Sequence, residues 1–190
     1  MRRMETHEFE GVKVPAPGVF EIDPAHTEVG FVVRHMMISK VRGHFDTFSG
    51  TITIAKGVLD SSVVASVDAA TINTGEDQRD NHLRSADFLD VETFPTLELR
   101  STKLTHVKGD RFELVADVTI RGVTRPLTFK LEFAGVSPDP WGGERIGLSA
   151  STEIVREDFG LTWNQALESG GVVVAKKVTL ELEVEATRQD

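Results

Sequence analysis

Residues 111–133 alternate apolar and polar side chains with a period of two. Phe112, Leu114, Ala116, Val118 and Ile120 fall on one side, with Glu113, Asp117 and Thr119 on the other; past a turn, Leu127, Phe129, Leu131 and Phe133 alternate with Thr128, Lys130 and Glu132. Only an extended strand sends successive side chains to opposite faces, so the pattern demands a sheet with one apolar and one wet face. Val178, Leu180, Leu182 and Val184 repeat it against Thr179, Glu181, Glu183 and Glu185.

The same rule predicts strands over residues 19–22, 28–35, 38–45, 48–55, 62–70, 96–104, 111–120, 125–134, 145–154 and 172–186. Lys56-Gly57, Lys108-Gly109-Asp110 and Arg121-Gly122-Val123 place glycine where tight turns need positive φ, and short connections imply antiparallel pairing. One short helix is predicted over residues 77–85, which follow Thr74 and Gly75 and contain neither proline nor glycine. The chain is therefore all-β. Many strands of this kind either stack as a sandwich or close on themselves, and closure removes exposed edges. The expectation is an antiparallel β-barrel of about eight strands with one helix in a connection. Residues 1–17, polar and ending V-P-A-P-G, read as a flexible arm that is loose or lies on the outside, and residues 18–190 as one domain.

A chain of 190 residues can bury a core without a metal or disulfide staple. Cysteine is absent, which excludes thiol catalysis and thiolate metal sites; with no apolar leader pattern near the start, the expected location is the cytoplasm. The net charge of −9 argues against a nucleic-acid partner. No apolar run approaches the roughly 20 residues of a membrane helix, so no transmembrane segment is expected.

His26, His35 and His44 are evenly spaced, with Asp23, Glu28 and Asp46 nearby, and invite a metal site. Nine-residue intervals obey no strand or helix rule that would make them converge, and hydrogen bonding at strand ends is the expected role. Ser49 and Ser85 lack a nucleophile elbow, and Asp158-Phe159-Gly160 lacks every companion motif of a kinase and reads as a turn. Neither a cofactor nor catalysis is expected.

The segment R-D-N-H-L-R-S-A-D-F-L-D-V-E-T-F-P, residues 79–95, breaks the strand pattern and suggests a mouth or lid. In one reading Arg79 or His82 meets a polar head group there, while Leu83, Phe88 and Leu89 touch an apolar chain. In the other, Asp80 and Arg84 form a surface pair at i, i+4, and Phe88 and Phe94 anchor the connection in the core. Trp163, in the long link before the last strand, is a candidate for the barrel entrance; Trp141, in a Pro/Gly loop, is expected outside. Inward-facing Phe31, Val33, Phe45, Ile52, Leu99, Phe129 and Leu148 can either plug the barrel or line a cavity, and alternation fits both. His35, at a strand end, completes the candidate ligand-binding residues.

Four ordered blocks carry a family resemblance. F-E-I-D-P-A-H-T-E-V-G-F-V-V-R-H-M-M-I-S-K-V-R-G-H-F-D-T-F-S-G (20–50), T-I-N-T-G-E-D-Q-R-D-N-H-L-R-S-A-D-F-L-D-V-E-T-F-P (71–95), D-V-T-I-R-G-V-T-R-P-L (117–127) and R-I-G-L-S-A-S-T-E-I-V-R-E-D-F-G-L (145–161) resemble the YceI-like family of polyisoprenoid-binding proteins. The resemblance implies a lipocalin-like barrel with an elongated apolar cavity that binds, transports or stores a long-chain isoprenoid lipid, polyprenyl or isoprenoid-quinone-like, without catalysis. It also implies homodimers paired through barrel surfaces. Many relatives carry an export signal that this sequence lacks, and the acidic arm before Val19 is an addition to the family pattern. Two further readings stand beside the carrier: a metal-dependent or other enzyme using His26, His35, His44 and residues 79–84, and a plugged barrel serving as an interaction module.

Overall fold

The computed structural model describes residues 4–190. Its strands are β1 (Thr6–Phe9), β2 (Val12–Pro15), β3 (Gly18–Ile22), β4 (Glu28–His35), β5 (Ser39–Phe45), β6 (Phe48–Ile54), β7 (Ser62–Asp68), β8 (Ile72–Asn73), β9 (Thr96–Lys108), β10 (Arg111–Ile120), β11 (Val123–Pro138), β12 (Glu144–Val155) and β13 (Val174–Arg188), with one α-helix, α1 (Asp77–Arg84). Strands β3, β6, β7, β9, β10, β11, β12 and β13 follow one another around a closed barrel in which all neighbours are antiparallel. This is the expected eight-stranded all-β barrel. No helix among the described residues is long and apolar enough to cross a membrane.

Three neighbouring strands bend at aligned corners. Asp23 accepts from Ala25 N at 3.0 Å and starts a 3-10 turn, after which β3 continues as β4; Asp68 does the same through Ala70 N at 3.2 Å, after which β7 continues as β8. Between them Thr47 N donates to Thr71 Oγ1 at 3.1 Å where β5 passes into β6. Beyond the corners β4 pairs with β13 and β5, and β5 pairs with β8.

The strand directions give the barrel two unlike ends. At the first lie α1, the Arg121-Gly122 turn and the link of residues 156–173. Phe45, Ile72, Leu89, Val118, Ile120, Phe159 and Leu161 pack there into a filled core. Arg156 is buried beside it and donates to the carbonyls of Leu161 (2.7 Å), Ala175 (2.8 Å), Trp163 (2.9 Å) and Val174 (3.3 Å). Burial pushes its guanidinium down from the usual range, and the carbonyl dipoles offset part of that cost. Asp158-Phe159-Gly160 is indeed a turn, closing on Gly160 at φ 75°.

The second end differs from expectation. The strands begin well before Val19: residues 6–15, read as part of a flexible arm, form the antiparallel hairpin β1–β2, and Val14 and Pro15 are buried against the barrel. Residues 1–3 of that predicted arm lie outside the described residues. Four-residue strands with charged outer faces leave no alternation long enough to detect. For the same reason β9 and β11 run past their predicted ends, since Thr105, His106 and Lys108 and then Ser137 and Pro138 carry the ladders without an apolar rhythm.

Candidate functional site

A cavity of about 190 Å³ occupies the half of the barrel nearer the hairpin. Ile52 and Ile54 from β6, Val63 from β7, Leu99 and Leu104 from β9, Phe129 and Phe133 from β11, Ile146 and Leu148 from β12, and Leu182 and Val184 from β13 form its walls. These are the inward positions of the period-two pattern. Val14 and Pro15 of the hairpin border the space from outside the barrel ring.

None of its described lining side chains is ionisable, and the polar ones are Thr27, Ser49, Ser61 and Ser62. Two of these hydroxyls are engaged by backbone. Thr27 Oγ1 donates to Glu185 O at 3.2 Å and accepts from Glu185 N at 3.1 Å, and Ser61 Oγ accepts from Ala55 N at 3.0 Å. Such a space rewards apolar contact and penalises a desolvated charge. Its described lining holds no ionisable side chain that could move a proton.

Of the predicted ligand-binding residues, Ile52, Leu99, Phe129 and Leu148 line this cavity. Phe31, Val33, His35, Phe45, Arg79, His82, Leu83, Phe88 and Trp163 do not. Phe31 lies over Gly43, where a Cβ would collide with its ring, and packs 6.0 Å from the Phe45 ring. That stack fills the barrel toward the helix end. Val33 sits opposite Val41 in the sheet, and His35 is exposed at the end of β4.

The mouth expected at residues 79–95 is instead a packed plug. Arg79 donates through Nε to Thr74 Oγ1 at 2.7 Å and through a terminal nitrogen to Thr74 O at 2.9 Å. The His82 ring reaches Asp87 Oδ2 at 2.8 Å and meets Phe88 and Trp163 edge-on, at 5.0 and 4.7 Å between centroids. Phe88 and Leu89 are buried, and Leu83 packs against the filled core. Asp80 and Arg84 are not a surface pair. Asp80 is 4% exposed and accepts from Thr74 N, while Arg84 donates to Ala70 O and Ile72 O, so each spends its charge on the backbone of the preceding loop. Trp141 is outside, 92% exposed.

The three histidines stay apart. His26 pairs with Asp23 at 2.9 Å and His44 with Asp46 at 2.9 Å, and among the described residues no group of three or more histidine and carboxylate side chains is placed to share a metal ion. Asp23 also accepts from Arg145 at 2.7 Å, and Arg145 reaches Glu185 and Asp139 at 3.0 and 3.2 Å. Hydrogen bonds from Arg145 first and His26 second hold the Asp23 carboxyl down at about 2. This network ties a corner, a loop and β13 together and does not border the cavity.

Val14 and Pro15 are the wall residues least legible from sequence. Phe112, Leu114, Ile146 and Val184 also line the cavity, and their alternation marks them as inward without separating wall from filling.

The family model described as a YceI-like domain matches residues 20–186. A UPF0312 protein of Staphylococcus aureus (strain bovine RF122 / ET3-1) is 38% identical over 170 residues, spanning 87% of this chain and 95% of the relative. A YCEI protein of Campylobacter jejuni superposes with a TM-score of 0.72 at 29% identity, covering 88% of this chain and 96% of that one. A polyisoprenoid binding domain from Saccharophagus degradans shares the fold at 17% identity and a TM-score of 0.69, covering 90% and 98% of the respective chains.

Proposed function

We propose that this chain, which belongs to the YceI-like family, is a non-catalytic binding protein that seats the chain of an isoprenoid lipid in the barrel cavity. The observation that carries this reading is the cavity wall: apolar side chains from all eight barrel strands surround a void with no ionisable group among its described lining. A packed barrel with a structural role alone would have no reason to keep such a void, because each unfilled methylene volume forfeits packing energy. At the volume that benzene takes in a comparable apolar cavity, 190 Å³ houses roughly eight carbon atoms, about one and a half isoprene units. Each buried methylene contributes about 0.8 kcal/mol, so chain burial dominates affinity and no polar anchor is needed in the wall. The chain's lack of cysteine fits a reducing compartment, and the cytoplasm is the proposed place of action.

The test is to extract natively purified protein with organic solvent and identify released lipid by mass spectrometry, with a heat-unfolded preparation as carry-over control. A prenyl lipid near one per chain is the expected result. A stoichiometric straight-chain fatty acid would keep the cavity and replace the ligand class. No released lipid, together with no binding of added geraniol, would overturn the reading.

A further inference from the structure

The hairpin β1–β2 stands outside the family match, which begins at residue 20, and yet it contributes to the cavity boundary. Val14 is 4% exposed and Pro15 less than 2%, values that belong to a core and not to an arm. Two clasps hold the hairpin across the barrel end. On one side the Phe9 ring lies 5.3 Å from His106 and 6.1 Å from Phe112, a wall residue. On the other, Arg188 donates to Ala16 O at 2.8 Å and Pro17 O at 3.1 Å while bridging Glu144 at 3.3 Å. The link Pro15-Ala16-Pro17-Gly18 joins the hairpin to β3; its prolines make it a stiff strap between two ordered units.

The pieces differ in how firmly they are held. The hairpin's strands pair only with each other, so no ladder ties it to the barrel sheet. It can leave without breaking any barrel hydrogen-bond ladder. We propose that β1–β2 is a lid that closes this end of the cavity and sets the longest chain the barrel accepts. The inference rests on the apolar-chain reading above and deepens it. With the lid shut, the void takes roughly eight carbons; with the lid displaced, Val14 and Pro15 leave the wall and a longer chain can extend past the rim. Displacement also frees Arg188 donors from Ala16 O and Pro17 O for a chain's polar end, while the guanidinium stays paired with Glu144.

The experiment compares the full chain with a variant lacking residues 1–17 in titrations against geraniol, farnesol and geranylgeraniol. Each added methylene that stays inside gains roughly four-fold in affinity. For the full chain, affinity should level off beyond geraniol; without the hairpin it should keep rising through geranylgeraniol. Two further variants act if the truncated barrel fails to fold: Phe9→Ala, which loosens one clasp, should move the plateau to longer chains, and Val14→Phe, which thickens the lid, should weaken even geraniol. A plateau at the same length in the full chain and in every folded variant would overturn the lid while leaving the cavity reading intact. No binding of any prenol by the full chain or the variants would overturn both.

Discussion

Replacing Ala150 with leucine should separate the cavity's part in binding from its part in stability. Ala150 sits on β12 between Leu131 of β11 and Leu182 of β13, its register partners, and all three line the void. A leucine adds three carbons on that face, about 75 Å³ out of about 190 Å³. Three carbons of ligand are then displaced, a loss of about 2.4 kcal/mol or roughly 50-fold in affinity for a chain that fills the wild-type space. The unliganded protein gains buried apolar contact and meets some crowding, so its stability should hold within about 1 kcal/mol. Calorimetric titration with geraniol and urea unfolding of the free protein read the two quantities separately. Ser151→Leu, one residue on and facing away, controls for a general effect of leucine on this strand. Wild-type affinity in a folded Ala150→Leu protein would refute the assignment of the void as the seat of the ligand.

Arg79→Ala and His82→Ala should leave geraniol affinity within roughly two-fold of wild type, because neither side chain reaches the cavity and distant sites act independently; a ten-fold loss in the same titration would return the mouth to the helix end. Asp23→Asn should destabilise the protein at pH 7 by about 1 kcal/mol, after discounting a pKa held at about 2 for its water-facing side. The folded pKa lies below the ordinary value of 3.8, so the contribution is complete above that value and disappears as pH falls toward about 2. Urea melts of both proteins should therefore converge over that interval, and a gap that widened on acidification would contradict the Arg145 contact as its source. Arg156→Met removes the donor to four carbonyls and should cost about 3–5 kcal/mol, with amide exchange rising first across residues 156–173. An unchanged unfolding midpoint would show that water satisfies those carbonyls equally well.

The barrel was legible because closure needs little more than strand length and facing. Phe112 through Ile120 and Val178 through Val184 announce their faces unaided, and the turns at Gly109 and Gly122 take the positive φ expected of them, 58° and 71°, whereas Gly57 sits at φ −85° and leads into a 3-10 turn. The corners were less legible. Asp23 and Asp68 bend strands through side-chain hydrogen bonds to the next turn, a local event that leaves the two-residue rhythm intact before it, so β3–β4 read simply as two strands and a gap, while β7 read as one strand through the corner to residue 70 and the two-residue β8 was not predicted.

The site was harder because alternation states only that a residue points inward. Whether neighbouring inward residues meet depends on sizes summed across the barrel, and the two ends resolve it oppositely. Toward the helix, Phe31 over Gly43, Phe45, Leu89 and Phe159 close the space; toward the hairpin, Val63, Ala65, Leu104 and Val184 leave it open. The aromatic and charged density of residues 79–95 suggested an opening because polar groups so often mark one, whereas here those groups are consumed in holding the plug: Asp80 on Thr74, Arg84 on Ala70 and Ile72, Arg121 on Phe88 O at 2.7 Å. Polar groups already engaged by the backbone of a neighbouring loop are less available to a ligand. The end with the sparser sequence signal is the one where wall atoms remain unpartnered, and unpartnered apolar surface is what an isoprenoid chain can use.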